Sequence, residues 1–239
     1  MRLNRFAMRW LIAPMLLTGS VAAFADDNDT DAKRGVARIS HMNGDVSVRR
    51  GDSGEWLAAS PNAPLVAGDH VQTGPGTRTE VQFDYSNMLR LSANGEIGFP
   101  EMEQGRYMVQ MASGLAMFRV LREMTADVEV STPNASLRPM KKGMYRIAVH
   151  ADGTTEFTVR SGEADIYTQH GSQRLRSGKT MLVRGTAADP EFQVVGAVMR
   201  DGWDQWNEER DNGLMKSNAY RYVSSSVYGA EDLDAHGSW

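Results

Sequence analysis

Four carboxylates crowd one short stretch near the C-terminus: Asp204, Glu208, Glu209 and Asp211, interleaved with Trp203 and Trp206. Acids beside indoles are the side chains of sugar-cleaving sites. There one carboxyl protonates the glycosidic oxygen, and a second sits roughly 5–9 Å away across a cleft. The spacing argues against that chemistry. Neighbours on one short helix lie side by side, so these acids read as a solvated face, with Glu208 or Glu209 pairing near Arg210 or Lys216. The five histidines, His41, His70, His150, His170 and His236, fall in separate turns without ligand spacing, and the chain has no cysteine. No Gly-x-Ser-x-Gly elbow or phosphate loop occurs. Asp27, Asp29 and Asp31 imitate the opening of a calcium loop, but its sixth position is Ala32 and its twelfth Arg38. The expectation is a protein that is not an enzyme, with no catalytic residue, no metal site and no cofactor.

Binding is the chemistry that remains. Trp203, Trp206, Tyr220, Tyr222, Tyr228 and Trp239 make a candidate interaction surface for an envelope protein or a cell-surface glycan. For Trp203 and Trp206 the favoured alternative is docking, because with Arg210 and Leu214 they share one helical stripe, and such stripes usually face a core. For the tail aromatics both readings stand. Met140-Lys141-Lys142-Gly143-Met144 is a basic knuckle, read as an exposed turn.

The element that positions the acids and indoles is a helix over Asp201 to Ser217. Asp201 is a suitable N-cap, while Gly202 and Gly213 weaken the helix by up to ~1 kcal/mol each. Everything before it reads as short strands and turns. Val81, Phe83 and Tyr85 alternate with Glu80, Gln82 and Asp84, and Leu89 and Leu91 with Arg90 and Ser92, so one side is buried and the other wet. Tyr145, Ile147 and Val149 turn at Ala151-Asp152-Gly153 into Phe157 and Val159, a hairpin. Trp56-Leu57 is read as an aromatic anchor, Phe192, Val194 and Val195 as a last strand, and many of the 15 methionines as core filler. Asn43-Gly44-Asp45-Val46-Ser47-Val48 is echoed by Ser161-Gly162-Glu163-Ala164-Asp165-Ile166, with Ser113-Gly114-Leu115 as a third copy of the motif. Glycine corners with positive φ are expected there. The fold class is all-β: short antiparallel strands in a twisted sandwich or solenoid-like domain, with one C-terminal helix.

Arg2, Arg5 and Arg9, the apolar run Trp10 to Leu17 and the small-x-small Ala23-Phe24-Ala25 make residues 1–25 a cleavable export signal. The run is far short of the ~20 residues of a membrane span. Cleavage leaves 23 basic and 30 acidic side chains, a formal charge of −7, which argues against nucleic-acid tracking. The expected product is periplasmic or secreted. Its parts are a disordered acidic leader at 26–35, a β domain at 36–195, and a helix with an aromatic tail at 196–239 that forms a junction to a further domain.

The order Gly44-x-Val46-x-Val48, Trp56-Leu57, Leu65-x-x-Gly68-Asp69-x-Val71-x-Thr73-Gly74 resembles the FecR domain. So do Ser113-Gly114-Leu115, Val130-Ser131-Thr132-Pro133-Asn134-Ala135, the Tyr145–Val149 strand and Val159-x-Ser161-Gly162. The resemblance covers residues 36–184. It implies an all-β, partly solenoid-like periplasmic domain that works by protein contact in envelope signalling. The regulators of iron uptake in that family carry an anti-sigma segment and a membrane span before this domain. Here a cleavable signal takes their place, so the module carries over and the sigma-factor role does not.

Overall fold

The computed structural model describes residues 34–235 and Gly237. The export signal, most of the acidic leader and Trp239 lie outside the described residues. Arg34 and Gly35, expected in the leader, instead continue the β structure: Arg34 bridges to Glu103, and the Gly35 N–H donates to the Met102 carbonyl at 3.1 Å.

Among the described residues, seventeen strands and one α-helix follow. The first six are β1 (Ala37–Asn43), β2 (Val46–Arg49), β3 (Trp56–Ala58), β4 (Pro64–Leu65), β5 (His70–Thr73) and β6 (Arg78–Gln82). Next come β7 (Asn87–Leu91), β8 (Glu96–Glu103), β9 (Arg106–Val120), β10 (Asp127–Ser131), β11 (Ser136–Pro139) and β12 (Gly143–Val149). Then follow β13 (Thr155–Ser161), β14 (Glu163–Thr168), β15 (Gly171–Arg176), β16 (Lys179–Gly185), β17 (Pro190–Gly196) and the helix α1 (Gly202–Lys216). The fold is all-β with one C-terminal helix, as the alternation predicts.

The strands form two layers joined by β9. In the first, the order is β3-β2-β5-β8-β9-β10-β11-β14-β15. In the second it is β4-β1-β6-β7-β9-β12-β13-β16-β17. The N-terminal half of β9 pairs with β8 and β10, and its C-terminal half with β7 and β12, so one strand belongs to both layers. It changes layer near Gly114, whose φ is +91; a Cβ there would stand 2.5 Å from the Gly95 Cα. Only glycine tolerates both conditions. Gly44 and Gly162 make the equivalent turns from the second layer into the first, at φ +95 and +88. The echoed motif is therefore a corner that recurs.

Between the layers lies one continuous core running from Ala37 to Val183, with Ile39, Val71, Val81, Leu89, Ile97, Phe118, Val130, Ile147, Phe157 and Ile166 all buried. Three expectations need correction. Trp56 and Leu57 are no anchor among the described residues: both are about half exposed on β3, which there pairs with β2 alone, and the Arg49 guanidinium lies over the Trp56 ring. Phe83 and Tyr85 lie beyond the end of β6, Tyr85 in the turn before β7. The third correction concerns the supposedly wet faces. Glu80, Gln82 and Arg90 are wholly buried, because the second layer has its outer side covered by α1 and the chain that follows it.

Candidate functional site

The covered face is built from a repeated tripeptide. Met88-Leu89-Arg90 on β7, Met117-Phe118-Arg119 on β9 and Met144-Tyr145-Arg146 on β12 each send the middle residue inward and the outer two outward. Antiparallel register sets Arg90 beside Met117, Met88 beside Arg119, Met117 beside Arg146 and Arg119 beside Met144. The result is a checkerboard of thioethers and guanidiniums, extended by Arg160 on β13. These methionines are buried, as expected of filler, but on the outside of the sheet and not in the inter-layer core.

Helix α1 answers the checkerboard residue for residue. Asp201 caps it, accepting from the Trp203 and Asp204 backbone N–H groups at 3.0 and 3.1 Å. Asp204 accepts from Arg160 through both oxygens at 2.9 and 2.7 Å and from Arg146 at 3.0 Å. Arg146 also reaches Asp201 at 2.8 Å. About two turns further on, Asp211 pairs with Arg119 and, at 2.8 Å, with Arg90. Arg90 donates to Glu80 at 2.6 Å and to the Asn207 carbonyl at 2.9 Å, while Arg210 of the helix reaches Glu80 at 2.8 Å. Burial alone would raise the Glu80 pKa, yet Arg90 and Arg210 override it and hold the carboxyl at about 2. Asp201 lies well below the usual range, chiefly through its hydrogen bond from Arg146.

Asp204 and Asp211 are thus not part of a solvated face. They are buried and locked to the sheet, because the helix presents them on the side that meets the arginines. Glu208 and Glu209 do face outward, but their partners are Arg200 and Gln205, not Arg210 or Lys216. Glu80, clamped by Arg90 and Arg210 and held at about 2, is a poor proton shuttle near neutrality.

The five candidate aromatics among the described residues do not share one platform. Trp203 is buried over Met117 and Met144, and Trp206 stacks on it at 5.0 Å and lies 5.9 Å from the His41 ring. Both dock the helix. Tyr220 packs edge-on against Tyr85 at 4.4 Å, with Arg122 lying 3.8 Å from the Tyr85 ring, and its hydroxyl bonds Glu231. Burial, then Glu231, pushes its pKa up. Glu231 also receives Gln82 at 2.8 Å, and Arg38 reaches Asp232 at 2.7 Å, so residues 218–235 fold back over the sheet. Tyr222 is 64% exposed and lines an open groove of about 760 Å³ with Arg210, Lys216, Arg221 and Asp234. Tyr228 is 37% exposed and lines a different groove of about 550 Å³ with Asp84, Tyr107 and Arg122. Of the described candidates, the accessible ones are therefore Tyr222 and Tyr228, in separate grooves. Lys141 of the basic knuckle pairs with Glu163 at 3.0 Å, and Met140 to Lys142 are exposed as a turn requires, but Gly143 and Met144 are buried and already belong to β12.

Motif residues shared with the resembled family prove to be structural. Asp69 is buried and accepts from the Gly51 and Val66 N–H groups and from Arg50. Asn134 is buried too, donating to the Gly153 and Val183 carbonyls at 3.1 and 3.2 Å and accepting from Thr155 at 2.7 Å. It ties the β10–β11 turn to the β12–β13 hairpin.

No curated protein matches the chain. Two crystal structures of a candidate anti-sigma factor from Parabacteroides distasonis ATCC 8503, at 2.50 and 1.65 Å, are similar to it at 18% identity and a TM-score of 0.46. The similarity covers 54% of this chain and 59% of that one, less than two thirds of its length. The family described as FecR protein matches residues 69–165, from the turn before β5 into β14. The matched residues form the middle of the sandwich and include the buried Asp69 and Asn134.

Proposed function

We propose that the chain is an exported, non-enzymatic FecR-type module that acts by protein contact at the bacterial envelope, in the service of envelope signalling. The observation that carries this reading is the FecR match at residues 69–165, set in a sandwich whose buried acids Glu80, Asp204 and Asp211 are all neutralised by arginine. Export rests on the basic n-region, short apolar run and Ala23-Phe24-Ala25 of residues 1–25. The two tryptophans most suited to a sugar platform serve the helix instead, which favours a protein partner over a glycan. The test places a photo-crosslinking residue at Tyr222 or Tyr228 in cells, followed by fractionation and mass spectrometry. A defined protein adduct in the periplasmic fraction is expected. Retention of the chain in the cytoplasm, or saturable peptidoglycan binding with no protein adduct, overturns the proposal.

A further inference from the structure

At one end the sandwich is left open. β15 pairs only with β14 and β17 only with β16, so both layers end there on a free edge among the described residues. Phe192 and Val194 of β17 stand opposite Val183 and Met181, both solvent-free core residues, and so they point toward the space between the layers. Yet they are 48% and 39% exposed. The last strand of the first layer, β15, leaves them uncovered. A shallow opening of about 60 Å³ lies there, lined by Ile166, Gln173, Met181 and Phe192.

Charge on the outer side of the first layer shows what would complete it. Arg138 of β11 donates to Glu129 of β10 at 2.8 Å and lies opposite Asp165 of β14, and Asp165 in turn lies opposite Arg174 of β15. The signs alternate, acid, base, acid, base, across four strands. The ladder ends on Arg174 at the free edge, with Arg176 beside it 81% exposed. A fifth strand fits if it brings a carboxylate outward and apolar side chains inward. β17 itself has that pattern: Glu191 lies on its outer side, opposite Arg184, while Phe192 and Val194 lie on the inner side.

We infer that two copies of this chain join end to end about a two-fold axis, β15 of each adding to β17 of the other. The axis exchanges the layers, so each first layer continues into the partner's second layer. Both pairs of Phe192 and Val194 are covered, and each ladder gains an acid. One surface, used twice, closes the assembly at a dimer. Neither edge carries an inward-pointing charge, the usual guard against such pairing.

Sedimentation of the full chain over a range of concentrations tests this, with Phe192→Lys on β17 and Gln173→Lys on β15 as variants. Each places a charge facing inward at an exposed position, and far-UV circular dichroism checks the fold. The expected result is a concentration-dependent doubling of mass in the parent chain, with both variants folded and at monomer mass. A parent chain monomeric at every soluble concentration overturns the proposal, as does a dimer insensitive to both variants. Loss of the dimer only in Phe192→Lys also overturns it, since that result means β17 pairs with its own copy.

Discussion

Replacing Arg90 by methionine is the most direct test of the ionic seam. Its side chain is fully buried and serves Glu80, the Asn207 carbonyl and Asp211 together. Removing one partner of a buried pair costs about 3–5 kcal/mol, because the other charge is left without compensation. Glu80 keeps Arg210 and Ser40, and Asp211 keeps Arg119, so the lower part of that range applies, about 3 kcal/mol. Glu80→Leu should cost a similar amount by leaving Arg90 with only Asp211 and Asn207. Removing both charges is different. Arg210 is partly exposed and can turn to solvent, so Glu80→Leu with Arg90→Met should cost only about 1–2 kcal/mol, well below the sum. The measurement is urea unfolding, since a salt denaturant would screen the charges, followed both by circular dichroism and by the fluorescence of Trp203 and Trp206 at the seam. Single variants that each lose under about 1 kcal/mol, or a double variant that loses the sum, would refute the view that the helix is held by coupled buried charge.

Acid should loosen the same seam. The Glu80 pKa is depressed from 4.5 to about 2, so its stabilisation is complete above the unfolded value and disappears as pH falls from about 4.5 through 2, to the extent of roughly 3 kcal/mol. A Glu80→Gln variant should show a flatter urea-midpoint profile in that window, and superimposable profiles would contradict the assignment. Gly114→Ala combines a positive φ with a clash against the Gly95 backbone, whereas Gly153→Ala has φ +81 and open space around its Cβ. The second should lose about 1–2 kcal/mol and the first at least twice that, as thermal or urea melts will show.

Strand alternation and turn chemistry made most of the sandwich legible. The hairpin through Asp152-Gly153, the inward Ile166, Leu175, Met181 and Val183, and the Asp201 cap all follow from local rules that act within a few residues. Cover is not local. Alternation says that Glu80 and Val81 face opposite ways, but whether the Glu80 side meets water depends on a helix more than a hundred residues later. The exposed Trp56 fails for the same reason in reverse: an aromatic in a strand suggests a neighbour, and β3 is an edge without one.

A signal for the seam was nevertheless present in the chain. Met-Leu-Arg, Met-Phe-Arg and Met-Tyr-Arg recur on three strands, an apolar residue flanked each time by the two side chains that must face away from it. An arginine at the same place in three strands of one sheet stacks like charges on one surface, which is unfavourable unless something acidic lies over it. Asp204 and Asp211 are seven residues apart, two turns of a helix, and so share a face. Those two observations belong together only if the helix lies across the strands, acids down. Solvated-face reasoning fails because it tests helix charges against neighbours on the same helix, where only Glu209 finds its partner, Gln205. The buried pair has its partners in the sheet, and the pattern to seek is a charge stripe whose complement repeats elsewhere at strand spacing.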